Sequence, residues 1–257
     1  MKGIRAAWVV FAFEWRRTMG WARLPFMVAL AAFPAAILWL IRHEGGRLDQ
    51  QAEPLAIALF VLVPEIVCLL GLLLWATPVI HSEVENKTWP YLAVRPAGKG
   101  PILLGKYAAS VLWTMLTGWL ALAVCLLVLL PGRPAVHAWA VIAALVPLSC
   151  LAYGALFVLL GVIFLRRGMM IAVAYTLFEF GLRWIPATVK ELTVQYHLQS
   201  LLVRWMHWDT TGFGVQGSFG TGPPWQHVLG LVAYAAVLLG VAAVILRWRE
   251  LVVATET

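Results

Sequence analysis

LAIALFVLVPEIVCLLGLLLWATPVI, residues Leu55 to Ile80, contains one charged side chain, Glu65. As a helix, a run of this length is long enough to cross the ~30 Å hydrocarbon core of a bilayer. Backbone groups in hydrocarbon have no water to bond, so such a span must satisfy them internally as a helix. Working outward, five more runs have the same character: about Leu24–Ile41, Gly105–Leu130, Ala138–Leu165, Met169–Pro186 and His227–Leu246. Of the 257 residues, 62% are hydrophobic and only 12% charged, about half the charged share of a soluble domain. No polar interval is long enough for a separate soluble domain. The expected fold is an all-α integral membrane bundle of six transmembrane helices, one domain over residues 1–257. Pro34, Pro64 and Pro147 fall inside spans and are expected to kink them.

Lys and Arg set the orientation. With the N-terminus inside, thirteen of the nineteen basic residues lie on inner segments. The positive-inside rule then places both termini in the cytoplasm of a multi-pass cell-membrane protein. It also accounts for the net charge of +7, so nucleic acid is not an expected partner. Cys68, Cys125 and Cys150 all lie in apolar runs, which argues against a disulfide framework. The first run follows 23 mixed residues without a small-residue cleavage site, and reads as an uncleaved span. Those 23 residues mix Trp8, Phe11, Trp15 and Trp21 with Arg16, Arg17 and Arg23. This pattern fits an amphipathic helix in the membrane interface, with arginines against lipid headgroups.

GPILLGKY, Gly100 to Tyr107, matches the G-x-x-x-x-G-K frame of a phosphate loop. The chemistry argues against that function. Tyr107 stands where Ser or Thr would bind magnesium, Pro101 removes a cradle N–H, and no strand precedes. The chain is therefore not expected to bind ATP, and no other cofactor motif is present.

The wider window, HSEVENKTWPYLAVRPAGKGPILLGKY, joins the second and third spans on the inner side. Ser82 and Glu85 have capping-box spacing, which predicts a short helix starting as the second span ends. Glu83, Glu85, Thr88, Tyr91-Leu92, Pro96 and Gly105-Lys106 stand in the order E-x-E-x-G-T, L-L-x-x-P, basic turn, G-K. This resembles the first cytoplasmic loop of ABC-2 type exporter permeases. Lys87 replaces the usual Gly, and Trp89-Pro90 departs from the pattern. The resemblance implies a permease subunit of an ATP-driven exporter that is not itself an enzyme. It further implies ATP-binding subunits in trans, a second permease chain and surrounding membrane lipid. The loop 81–106 would be the coupling helix, with Ser82, Glu83, Glu85, Thr88, Trp89, Tyr91, Pro96 and Lys106 as its ATPase-subunit contacts. Trp89 or Tyr91 would be the anchor, as exposed aromatics are at interfaces.

Polar residues in spans are costly, about 2.5–3.5 kcal/mol for a carboxylate at a helix centre. Glu65 should therefore face the bundle interior or the subunit interface, either in a substrate path or bonded to backbone freed by Pro64 or to a polar neighbour helix. Glu179 and Arg183 are four apart and can pair on one helix face. Val189, Leu192, Leu198, Leu201, Leu202 and Trp205 recur at helical spacing after them. By resemblance, residues 187–226 form a helical outer gate between spans five and six. Glu65, Glu179 and Arg183 are the candidate path or gate residues. Five of the six histidines fall on the outer side without metal-ligand spacing. Two alternatives belong to other classes: an intramembrane hydrolase using Ser149, and a non-transporting scaffold or sensor. A mostly apolar path with few charges suits a lipid, an amphipathic drug or a peptide.

Overall fold

The computed structural model describes residues 2–18, 24–43, 52–86, 98–129, 133–182, 193–208 and 222–248. Among them there is no strand. Helix α1 covers Lys2–Thr18 and α2 covers Leu24–His43. Helix α3, Ala52–Phe60, runs through a π-helical segment, Val61–Val67, into α4, Cys68–Trp75. A 3-10 turn, Thr77–Val79, leads to the short α5, His81–Glu85. Then come α6 (Lys99–Leu129), α7 (Arg133–Ile163), α8 (Gly168–Leu182), α9 (Val194–Trp205) and α10 (Pro224–Trp248).

Five stretches among the described residues are long and apolar enough to cross a membrane: Leu24–His43, Glu53–Val79, Lys99–Leu129, Val136–Ile163 and Pro224–Trp248. The remaining expected span, Met169–Pro186, corresponds to α8. Its 15 residues reach only about 22 Å, short of a bilayer core, and residues 183–192 lie outside the described residues.

Helix α7 is the centre of the bundle and packs against α3, α4, α6, α8, α9 and α10. Helix α6 carries α1 and α2 on its other side. Phe60, Leu72, Ile142 and Phe157 are fully enclosed between these helices. Large apolar side chains on α2, α8 and α10 face outward instead, among them Val28, Phe33, Met170, Leu177, Val237 and Val244. Such faces suit lipid, which solvates them as well as a protein neighbour does.

The prolines act differently from one another. Helices α2 and α7 continue through Pro34 and Pro147. Only at Pro64 does the helix type change. Proline has no N–H for the carbonyl one turn earlier, and here the turn widens. The Cys68 N–H donates to the Val63 carbonyl five residues back, the spacing of a π turn. The Ser149 hydroxyl donates to the Pro64 carbonyl at 3.1 Å. Ser149 is thus used structurally, buried in the core.

Two backbone contacts set the ends of the bundle. A Cβ on Gly161 would collide with the Thr77 carbonyl oxygen, so the turn from α7 to α8 nests directly on the turn that precedes α5. At the other end, the Arg42 guanidinium donates to the Val128 and Leu129 carbonyls at 3.2 and 3.3 Å. These are last-turn carbonyls of α6, which lack intrahelical partners, and a cation there also suits the helix dipole. Arg42→Ala should cost roughly 0.5–1.5 kcal/mol, with Arg42→Lys retaining part, measured by thermal unfolding in detergent.

Candidate functional site

GPILLGKY is helical throughout, because α6 already starts at Lys99. Its amides are therefore engaged in a helix rather than arranged as a phosphate cradle. The Tyr107 hydroxyl donates to the Leu151 carbonyl of α7 at 2.8 Å. Gly105 and Lys106 serve a different contact. A Cβ on Gly105 would stand 2.5 Å from the Ala7 carbonyl oxygen and 2.9 Å from the Val10 Cβ. Glycine lets α1 lie backbone to backbone on α6, and this approach brings the charges together.

Lys106, with 5% of its side chain exposed, meets Glu14 of α1 and lies 2.8 Å from Glu83 of α5. Arg17 of α1 reaches Glu83 at 2.9 Å and Glu14 at 3.7 Å. Two cations and two carboxylates neutralise one another, as burial of charge requires. Three tryptophans pack on one another beside the cluster. Trp113 of α6 meets Trp15 of α1 edge-on at 5.3 Å and Trp75 of α4 at 6.3 Å. The Ser110 hydroxyl donates to the Trp75 carbonyl at 3.0 Å. A cavity of about 80 Å³ beside the cluster is lined by Arg17, Trp75, Ser82, Lys106 and Trp113, among others. Helices α1, α4, α5 and α6 thus meet in one polar, aromatic junction.

The expected contact residues separate on this geometry. Glu83 and Lys106 turn inward and hold α5 against α1 and α6. Ser82 sits inside α5, and the helix starts from Ile80 without a side-chain cap, so the expected capping box does not form. The reason is local: the preceding 3-10 turn leads straight into α5, and His81 pairs with Glu85 at 3.0 Å instead. The Glu85 side chain is 64% exposed. Thr88, Trp89, Tyr91 and Pro96 lie outside the described residues.

A second polar group lies deeper in the bundle. Glu65, in the π segment, accepts from the Gln195 carboxamide of α9 at 2.9 Å, with Gln199 at 3.5 Å. Glu179 of α8 accepts from the backbone N–H of the same Gln195 at 3.1 Å and lies beside the Tyr153 phenol. Both carboxylates are only 2% exposed. Gln195 therefore bridges the second span and α8 with one residue. Arg183, the expected partner of Glu179, lies outside the described residues.

Helix α9 is well delimited. The Thr193 hydroxyl caps it by accepting from the Tyr196 N–H at 3.3 Å. It ends in a Schellman motif, with His207 at φ 55° and the Trp208 N–H on the Val203 carbonyl at 3.1 Å. Leu198, Leu201 and Leu202 bury its apolar face. His197 shares a hydrogen bond with His227 of α10, Nδ1 to Nδ1 at 3.0 Å, and His137 Nε2 lies 2.8 Å from the Trp205 carbonyl. No cluster of three or more metal-ligating side chains occurs among the described residues.

The sequence reading missed Glu14, Arg17 and Gln195 as members of these sites. Glu14 was a usable signal, the one acid in an otherwise basic, aromatic segment. Gln195 and Gln199 were another, four apart on an amphipathic helix and so on one face.

Apolar spans packed around an apolar core that encloses a few polar groups, with a charged junction at one end, define a multi-pass helical membrane protein. The family model described as ABC-2 family transporter protein matches residues 15–181, from the end of α1 through α8. The chain belongs to this family and is an ABC-2 type transporter permease. No curated protein matches it.

Proposed function

We propose that the chain is the transmembrane subunit of an ATP-driven exporter in the cell membrane, with both termini cytoplasmic. Six spans, of which Met169–Pro186 would be the fifth, would pair with a second permease chain. Two ATP-hydrolysing subunits would be supplied in trans. Residues 81–106 form the coupling element, α1 lies in the cytoplasmic interface beside it, and residues 187–226 form the outer gate.

The observation that carries this reading is the junction of α1, α5 and α6. A partner pressing on a lone five-residue helix would merely bend it. Here Glu83 ties α5 to Lys106 and Arg17, so force on α5 reaches α1 and two spans at once. Glu85 and Asn86 remain exposed for the partner. Glu85→Arg tests this. The tagged chain, purified from its own membranes, should bring ATPase activity with it. The substitution should lower that activity at least about tenfold, a loss expected at an interface hot spot, while the chain elutes as before. Purification of the chain without an ATPase would exclude the reading.

A further inference from the structure

The second span carries both sites. From Glu53 it runs through the π segment and α4 into the turn and α5, so the coupling element and Glu65 belong to one continuous stretch, 52–86. Gln195 is fastened to it at Glu65, and to α8 at Glu179. We infer that the π-helical segment Val61–Val67 is a register switch, which holds α9 down in its wide form and releases it on tightening to an α-helix. The inference rests on the exporter reading for its cause, a push on α5, but not for its test.

The geometry supplies the mechanism. A π turn accommodates one residue more than an α turn. Removing that residue from the register turns the helix on one side by about 100° and shifts it by about 1.5 Å relative to the other. Glu65 sits in the middle of the segment, so either movement takes its carboxylate away from the Gln195 carboxamide. The structure favours the wide form by two local means. Pro64 cannot donate to the carbonyl that an α turn would present, and Ser149 bonds the Pro64 carbonyl from α7. Both are modest, so the two registers can lie close in energy. Once Glu65 leaves, the Gln195 side chain loses that bond, and α9 is held by the Gln195 backbone bond to Glu179, its apolar face and the His197 and Trp205 contacts, so it lifts more readily.

Leu198, fully buried on α9, reports the movement. The full-length Leu198→Cys chain in open membrane fragments is treated with a water-soluble maleimide, with the parent chain as background for the three buried native cysteines. Labelling should be slow. Adding Glu65→Ala or Gln195→Ala should accelerate it at least about threefold, the effect of one side-chain hydrogen bond within a membrane. Glu65→Gln keeps an acceptor and should leave the rate unchanged. Pro64→Ala restores the missing donor, favours the α register, and should match Glu65→Ala. A second reporter, Leu38→Cys on α2, should stay protected in every background. An unchanged rate in Pro64→Ala, or in Glu65→Ala and Gln195→Ala, overturns the inference. So does equal acceleration at Leu38→Cys, which means general loosening. No ATPase partner is needed, so failure here is distinct from failure of the exporter reading.

Discussion

Lys106→Met should destabilise the protein by about 3–5 kcal/mol, the cost of removing one partner from a buried ion pair. The substitution keeps most of the side-chain volume, so little of the loss comes from packing. What remains is electrostatic. Glu14 and Glu83 would then lose their buried cation and face Arg17, whose side chain is 39% exposed and reaches Glu14 at 3.7 Å. Two carboxylates facing a half-solvated guanidinium cannot both stay desolvated. Helix α5 should swing out so that Glu83 reaches water, which also breaks the mechanical tie to α1. Thermal unfolding of the detergent-solubilised protein measures the stability loss. Adding Glu83→Gln to Lys106→Met should recover a substantial part, because it removes the stranded charge. A double variant no more stable than the single one would mean that Lys106 acts by packing alone.

The bundle was legible in the sequence because hydrophobic run length is a direct physical requirement of the membrane. Leu55–Ile80 announces a helix from its composition alone, and the described helix follows it closely. The function of Gly105-Lys106 was legible only as a family pattern. Its physical reason lies some ninety residues away in the chain, where Ala7 and Glu14 approach, and no local spacing reports such a contact. The capping box failed for a related reason. Ser82 and Glu85 have the right spacing, but the helix start is fixed by the turn before it, which is nested against Gly161. Tertiary packing overrode a local signal. Glu65 was expected to turn away from lipid, toward the bundle interior or a subunit interface, because its charge requires it, and it lies buried within the bundle. Its partner was not predictable, because the carboxamide of Gln195 arrives from α9, 130 residues later.

Gly105→Val should detach α1 from α6. A β-carbon at 2.5 Å from the Ala7 carbonyl oxygen meets backbone, which cannot rotate away as a side chain could. The whole helix must shift, and a branched side chain enlarges that shift. Lys106 then loses Glu14, and Arg17 leaves Glu83, so the steric change and the loss of the ion cluster add. Cleavage after Arg16 and Arg17 by trypsin reads the detachment, since a docked helix must open before it is cut. The rate should rise at least about tenfold, which corresponds to about 1.4 kcal/mol of lost docking. Any ATPase activity that accompanies the chain should fall in parallel, because α5 and α1 would no longer move together. Gly100→Ala is the matched control on the same helix, because a Cβ there meets nothing within 4 Å. It should leave both rates unchanged, while Gly105→Ala, one methyl group against the same backbone, should already show part of the effect. If Gly105→Ala and Gly100→Ala behave alike, close approach of α1 is not what glycine provides at position 105. The Gly-Lys pair would then owe its place to Lys106 alone.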